Sequence, residues 1–291
     1  SVGGGSFSFL LTPQTDRCGP YNSTTNAVKL SGEFQSAPIP LSTAQRCTGV
    51  CARSFYGGDD GYGSRPATTW KDSNTYIFFA DNSGSKLIWD VSGFNTSEFH
   101  DFGLDKIWGM AVDKTSERLF VTTRNVLDQR YQVHVFNVSP VKSMSDPTHI
   151  ATIDIFDGVP GHEDSLPADI AINESDHQVY IYLSGTGGIA ILDDSDLGVP
   201  TAADLTFLGV DRLSGSQTDR VRSGRKLVYD PSKELIIGVS RLGKQVFSID
   251  KNSLEIFLVP TEKKLDSIVT IEGSKLILLI DRENAATYQV R

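Results

Sequence analysis

From about residue 67 the apolar positions come in short runs rich in β-branched and aromatic residues, parted by Gly, Asp, Asn, Ser and Pro. That rhythm predicts strands rather than helices. The runs recur in one order: an inner run closing on a small polar residue, a turn, a very apolar run, a tight turn, a third run and a looser fourth. One unit reads IWGMAVD (107–113), RLFVTT (118–123), YQVHVFNV (131–138) and HIATIDIF (149–156). The next reads ADIAI (168–172), QVYIYLS (178–184), GGIAILD (187–193) and LTFLGV (205–210). A third reads RKLVYD (225–230), ELIIGVS (234–240), QVFSID (245–250) and LEIFLV (254–259). Before them stands TTWKD (68–72), TYIFFAD (75–81), KLIWDV (86–91) and EFHDF (98–102). The last unit has three runs, SIVTI (267–271), KLILLI (275–280) and ATYQVR (286–291).

A four-stranded unit repeated every ~40–60 residues predicts an all-β fold of the β-propeller type, in which each blade exposes only short edges. Five blades are legible, and six remain open. The strand lacking from the last unit is expected from SFSFLLT (6–12), whose alternation suits an outer strand and whose pairing would remove an aggregation-prone edge. Residues 13–65 differ in composition, with Pro13, Pro20, Pro38, Pro40 and the glycine-rich GGDDGYG (57–63), and read as an N-terminal insertion in a single domain spanning 1–291. An irregular all-β sandwich is the other fold compatible with the pattern.

Charge and hydropathy narrow the picture. With 39% hydrophobic and 22% charged residues the chain resembles a globular domain, and no apolar run reaches the ~20 residues of a membrane-spanning helix. A net charge of -9 excludes a broad phosphate-binding face. Arg212, Arg220, Arg222 and Arg225 lie in a Gly/Ser-rich segment and read as a solvated loop.

Sulfur chemistry is confined to the insertion, which holds Cys18, Cys47 and Cys51. Cys18 joined to either partner would close a loop of roughly 30 residues, worth ~3–4 kcal/mol by chain entropy. The odd thiol is either buried or available for a bond to a second chain. The C-x3-C spacing lacks the second ligand pair of a zinc site. Sequons at Asn22, Asn95, Asn137 and Asn173 provide N-glycan acceptors for a chain that passes through a secretory pathway, the last three where a strand gives way to a turn. The start SVGGGSFSFLL, without an initiator Met, reads as a processed N-terminus. Together these features predict an extracellular glycoprotein.

Candidate chemistry is sparse. The five histidines, His100, His134, His149, His162 and His177, are scattered along the sequence and read mainly as surface or packing residues. GHEDS (161–165) sets His162, Glu163 and Asp164 just before the inner strand 168–172, on a propeller face, and is the best catalytic-looking cluster, with Asp169 a separate candidate. Asp59-Asp60 and Asp193-Asp194-Ser195-Asp196 offer oxygens to calcium, although neither has the spacing of a known loop, and solvated turns are their default. No other cofactor is expected. The G-x-S-x-G, H-E-x-x-H and G-x-x-x-x-G-K-[ST] signatures are missing. Trp70, Trp89 and Trp108, with Phe55, Tyr56 and Tyr62, invite comparison with lectin propellers, but no aromatic recurs in every unit, and core packing is the reading adopted.

The stretch PADIAINESDHQVYIYLSGTGGIAILDDSD (167–196), with IWGMAVDKTSERLFVTT (107–123), resembles a blade of the broad superfamily holding the gluconolactonase/regucalcin-type lactonases, NHL-repeat proteins and royal jelly/yellow proteins. The lactonase branch implies an axial divalent metal held by a glutamate and by an asparagine in a Pro-Asn-Gly turn. This chain has Pro167-Ala168-Asp169 at the corresponding turn and no Glu-Gly-Pro-x-Trp stretch. The resulting expectation is a secreted, glycosylated, non-catalytic propeller that engages an extracellular protein or glycan. It is also expected to be capable of polymerising by strand donation or an intermolecular disulfide, with no nucleic-acid partner. A metal-dependent lactonase and a lectin are the alternatives.

Overall fold

The computed structural model describes residues 67–71, 74–81, 84–91, 96–103, 106–124, 130–155, 166–184, 188–208, 224–240, 245–253, 255–260, 265, 267–270, 277–281 and 286–290. SFSFLLT, the insertion with its cysteines, Asn22, Asp59-Asp60, Phe55, Tyr56 and Tyr62 lie outside them, as do Asn95 and the trio His162, Glu163 and Asp164.

The described strands fall into five antiparallel sheets, each a meander in chain order. The first holds β1 (Ala67–Lys71), β2 (Thr75–Ala80), β3 (Lys86–Val91) and β4 (Thr96–Asp101). The second holds β5 (Lys106–Asp113), β6 (Arg118–Arg124), β7 (Tyr131–Asn137) and β8 (Thr148–Asp154). The third holds β9 (Leu166–Asn173), β10 (Gln178–Ser184), β11 (Gly188–Asp193) and β12 (Leu205–Leu208). The fourth holds β13 (Gly224–Asp230), β14 (Leu235–Ser240), β15 (Gln245–Asp250) and β16 (Ile256–Pro260). The fifth has three strands, β17 (Ser267–Thr270), β18 (Ile277–Asp281) and β19 (Ala286–Val290).

The first strands of successive sheets pack side by side, β1 on β5, β5 on β9, β9 on β13 and β13 on β17. No comparable packing joins β17 to β1 among the described residues, so the succession of sheets is open there. The ring closure and the N-terminal outer strand expected from the sequence involve residues outside the described set.

The hydrophobic core is divided into seams, one between each pair of neighbouring sheets. Trp70, Phe78 and Trp89 of the first sheet meet Leu119, Val121 and Phe136 of the second. Phe120, on the opposite side of β6, joins Val179, Ile181 and Leu192 of the third sheet. Tyr180 and Tyr182 alternate with these along β10 and face Ile236 and Phe247 of the fourth. Ile237 and Val239 then face Ile268. The second strands β6, β10 and β14 are thus buried on both faces, and this is why RLFVTT, QVYIYLS and ELIIGVS read as continuous apolar runs without alternation. Ile77 and Phe79, with Ile88, form a small apolar cluster on the other face of the first sheet.

First and second strands of the middle three sheets are joined by the same four-residue turn. Asp113, Asn173 and Asp230 each accept, through Oδ1, the backbone N–H of the residue two positions on, Thr115, Ser175 and Ser232, and also that residue's hydroxyl. The fourth turn residue, Glu117, His177 or Glu234, has φ of 57, 54 or 54°. This left-handed conformation costs a non-glycine residue about 1–2 kcal/mol, and it directs the carbonyl to the end of the third strand. There it accepts the N–H of Val138, Asp194 or Lys251. The pattern [DN]-x-[ST]-x-[EH] therefore encodes a rigid corner.

Packing is close enough at Gly238 to exclude any side chain. It pairs with Phe247 across β14 and β15, and a Cβ there would lie 2.1 Å from the phenyl ring. The ring is fully buried and stacks at 5.4 Å on Tyr182. Gly238→Ala is expected to cost about 1–3 kcal/mol by overpacking, read as a lower urea midpoint. An unchanged midpoint would show that the third seam is looser than described.

Candidate functional site: polar contacts across the seams

Several buried polar side chains among the described residues reach across sheet boundaries. In the middle of the inner strands, Gly109 of β5 lies so near β9 that a Cβ would be 2.9 Å from Thr122 Oγ1 and 3.1 Å from Asp169 Cα. Thr122 accepts the Gly109 N–H at 2.8 Å and donates to the Pro167 carbonyl at 3.1 Å. One strand further on, Asp169, 5% exposed, accepts the Leu227 N–H of β13 at 2.8 Å. The candidate catalytic carboxylate at the Pro167-Ala168-Asp169 turn thus ties the third sheet to the fourth.

At one end of the sheets the connection after the third strand of each of the middle three sheets reaches back to the preceding sheet. Between β7 and β8, Lys142 lies 4.9 Å over the Trp70 ring, and Asp146 accepts from Trp89 Nε1 at 2.8 Å and Ser97 Oγ at 2.9 Å. Between β11 and β12, Asp194 and the carbonyls of Leu197 and Gly198 receive the Arg118 guanidinium from the start of β6. Between β15 and β16, Lys251 donates to Asp176. The same latch closes three consecutive seams.

The second of these latches is the most deeply buried. Asp194 is inaccessible, and its Oδ2 has no hydrogen-bond partner among the described residues. Burial pushes its carboxyl up to about 6, against the opposing pull of Arg118. Beside it, Asp113 takes the His177 Nδ1 at 2.6 Å. Burial would raise the Asp113 carboxyl, but the bonds from His177, Thr115 and Ser116 together hold it below its ordinary value.

The acidic run that offers oxygens to calcium in the sequence is divided among other tasks. Asp193 and Asp196 accept from the N–H groups of Ser195 and Gly198, while Arg118 occupies the oxygens of Asp194, Leu197 and Gly198 where a cation would sit. No group of three or more His, Cys, Asp or Glu among the described residues is arranged to hold a metal.

A second polar group is hidden in the linear sequence. His100 of β4, His134 of β7 and His149 of β8, distant along the chain, meet at the first seam, with ring centroids 5.5 Å apart for His100 and His149, 5.8 Å for His134 and His149, and 6.5 Å for His100 and His134. Two β-bulges bring them together. The β7/β8 register pairs His134 with Thr152 and Phe136 with His149, so Ile150 is an extra residue that puts His149 and Thr152 on one face despite their odd spacing. The β3/β4 register likewise skips Phe99 next to His100. His134 lies between Thr123 Oγ1 at 2.9 Å and Thr152 Oγ1 at 3.0 Å, and Thr152 also meets His149 Nε2 at 3.1 Å. Neither bulge is written in residue types, and only strand pairing exposes the cluster.

The other residues singled out in the sequence have structural settings. Trp70 and Trp89 are buried in the first seam, and Trp108 packs against the second. Asn137 shapes the turn into Ser139 through Oδ1. Asn173 is 1% exposed, with its Nδ2 donated to Asp176 at 3.0 Å, so its amide points into the protein.

No protein-family model matches the chain, and no curated protein does. Solved structures do. Saccharomyces cerevisiae Sqt1 is similar over 76% of this chain and 57% of its own, at 10% identity and a TM-score of 0.50. A nidogen/laminin complex is similar over 68% of this chain and 64% of its own, at 13% identity and a TM-score of 0.47. Virginiamycin B lyase from Staphylococcus aureus is similar over 78% of this chain and 84% of its own, at 9% identity and a TM-score of 0.41. The fold is that of a β-propeller. At such identities the likeness extends to the fold alone, and the match spans less than two thirds of the nidogen/laminin and Sqt1 chains.

Removing the guanidinium from the middle latch would strand a buried carboxylate. Arg118→Ala is expected to cost about 3–5 kcal/mol at pH 7.5. The sign of its pH dependence is set by Asp194, which in the variant has a folded pKa raised above the unfolded ~3.9. The folded state then binds the extra proton, so the cost relative to wild type must shrink between pH 7.5 and pH 5. Urea unfolding of both proteins at the two pH values checks this. A cost that grows in acid would show that Asp194 is not the group left uncompensated.

Proposed function

We propose that this protein is a secreted, glycosylated β-propeller without catalytic activity, an extracellular module for protein interaction or structure. The observation that carries the reading is Asp169, the one described residue among the catalytic candidates, whose buried Oδ2 accepts the Leu227 N–H between two sheets. Its burial, with 5% of its surface exposed, leaves the carboxylate little access to a substrate or an axial cation.

The architecture in this proposal is five blades closed by SFSFLLT as the outer strand of the last. Two features support it. The fifth sheet has three strands where the other four have four, and Ile77 and Phe79 give the first sheet a second apolar face of the kind found where two sheets meet. Residues 13–65 form an insertion stapled through two of Cys18, Cys47 and Cys51. The same opening strand, donated to a neighbouring molecule, would assemble copies head to tail.

Expression through a eukaryotic secretory pathway tests the assignment. The secreted chain is expected to lose mass on endoglycosidase treatment, with glycan at Asn22, Asn95 or Asn137 and none at the buried Asn173. One thiol per chain should react with iodoacetamide after unfolding without reductant, unless a dimer band appears on a non-reducing gel. Three reactive thiols and unmodified sequons would overturn the extracellular reading. Hydrolysis of aldonolactones that depends on added calcium or zinc, and is lost in Asp169→Ala, would establish the lactonase instead.

A further inference from the structure

The histidine cluster lies at the first seam, between β4 of one sheet and β7 and β8 of the next. His134 is buried and its two ring nitrogens face hydroxyls. A hydroxyl both donates and accepts, so Thr123, Thr152 and His149 satisfy a neutral His134 in either tautomer. Among the described residues no carboxylate is hydrogen-bonded to any of the three rings. The aromatic neighbours are Phe102, 4.6 Å from His134 and 4.4 Å from His100, and Phe136, 5.2 Å from His100 and 5.0 Å from His149.

The charged groups on the surrounding strands are mostly engaged elsewhere. Glu98 and Asp101 of β4 share Lys86 of β3 at 3.0 and 3.5 Å. Asp154 of β8 is taken by Arg130 and Gln132. On β6, Arg118 is latched to Asp194 and Arg124 lies over the Tyr131 ring, and β7 has no charged residue. Among the described residues Asp101 acts on the cluster, favouring protonation of His100, and there burial and the charge of His149 outweigh it.

We propose that His100, His134 and His149 make the first seam an acid-sensitive joint: in neutral solution the uncharged rings pack the first sheet against the second, and in mildly acidic solution their protonation parts β4 from β7 and β8.

The direction is set by burial. Burial holds His134 down to about 3, with His149 and His100 adding to the effect; His100 is half-buried and His149 lies at the exposed edge of the seam, and partial desolvation holds both below their ordinary value. Histidines in the opened or unfolded chain titrate near ~6.5. Above that pH the two states bind protons equally and the seam keeps its full stability. Below it the opened state gains protons that the closed seam refuses, so stability falls as pH drops toward the folded values. Each ring that must open to be protonated raises the opening constant up to about tenfold per pH unit.

Hydrogen exchange of the intact protein at pH 7.5 and pH 5, corrected for intrinsic rates, reads the joint directly. Peptides covering β4 and β8 should lose protection at least about tenfold more than those covering β10 and β11. A His100→Phe/His149→Phe double variant keeps aromatic rings at the seam while removing two of the three titrating groups, and should reduce that difference, with His134 carrying the remainder. If it does not fold, side-chain NMR of the wild type decides, with His134 expected to stay neutral at pH 5 for as long as the native spectrum persists. Equal loss of protection in the two regions, an unchanged response in the double variant, or His134 titrating near its ordinary ~6.5 in the native protein would overturn the proposal.

Discussion

The structure depends on side chains from two sheets meeting face to face. A strand such as β6 sends Leu119 and Val121 one way and Phe120 the other, so its sheet is stable only with a neighbour on each side. Burial of one such side chain contributes about 1.5–3 kcal/mol. A sheet that lost a neighbour would expose several at once. This requirement makes the fold a succession of seams and gives every other feature its place.

Polar groups obey the same logic. Once a seam excludes water, a carboxylate or guanidinium inside it must find its partner across the boundary. Arg118 with Asp194, Lys251 with Asp176, and Asp169 with the Leu227 N–H each join two sheets that the apolar contacts have already brought together. The latches add directionality to a non-directional force. They fix how far one sheet slides on the next, which area burial alone leaves loose. The histidine cluster is the exception, for its rings pack together with no carboxylate hydrogen-bonded to them among the described residues, and this makes that seam responsive.

All nineteen described strands were legible as runs of residues, and the three-strand final unit among them, because the period of apolar positions is set by local backbone geometry. The site was much less legible. Asp169 stood out for its neighbours in sequence, and its role came from Leu227, on the next sheet. His162, Glu163 and Asp164 drew notice by adjacency, whereas His100, His134 and His149, with no common spacing, are the histidines that meet. The [DN]-x-[ST]-x-[EH] corner was in plain view at 113–117, 173–177 and 230–234, and its repetition is a signal that could have been read.

The sequence by itself determined strand identity, the grouping of strands into repeated sheets and the strongly apolar character of the second strands. All three depend on residues within a few positions of one another. Tertiary structure decided which side chains share a seam, since that depends on register. One extra residue at Ile150 and another at Phe99 rotate the next stretch of strand to the other face. Composition does not record such shifts, because a bulge costs little locally and is selected by the packing of a neighbouring sheet far away in the chain.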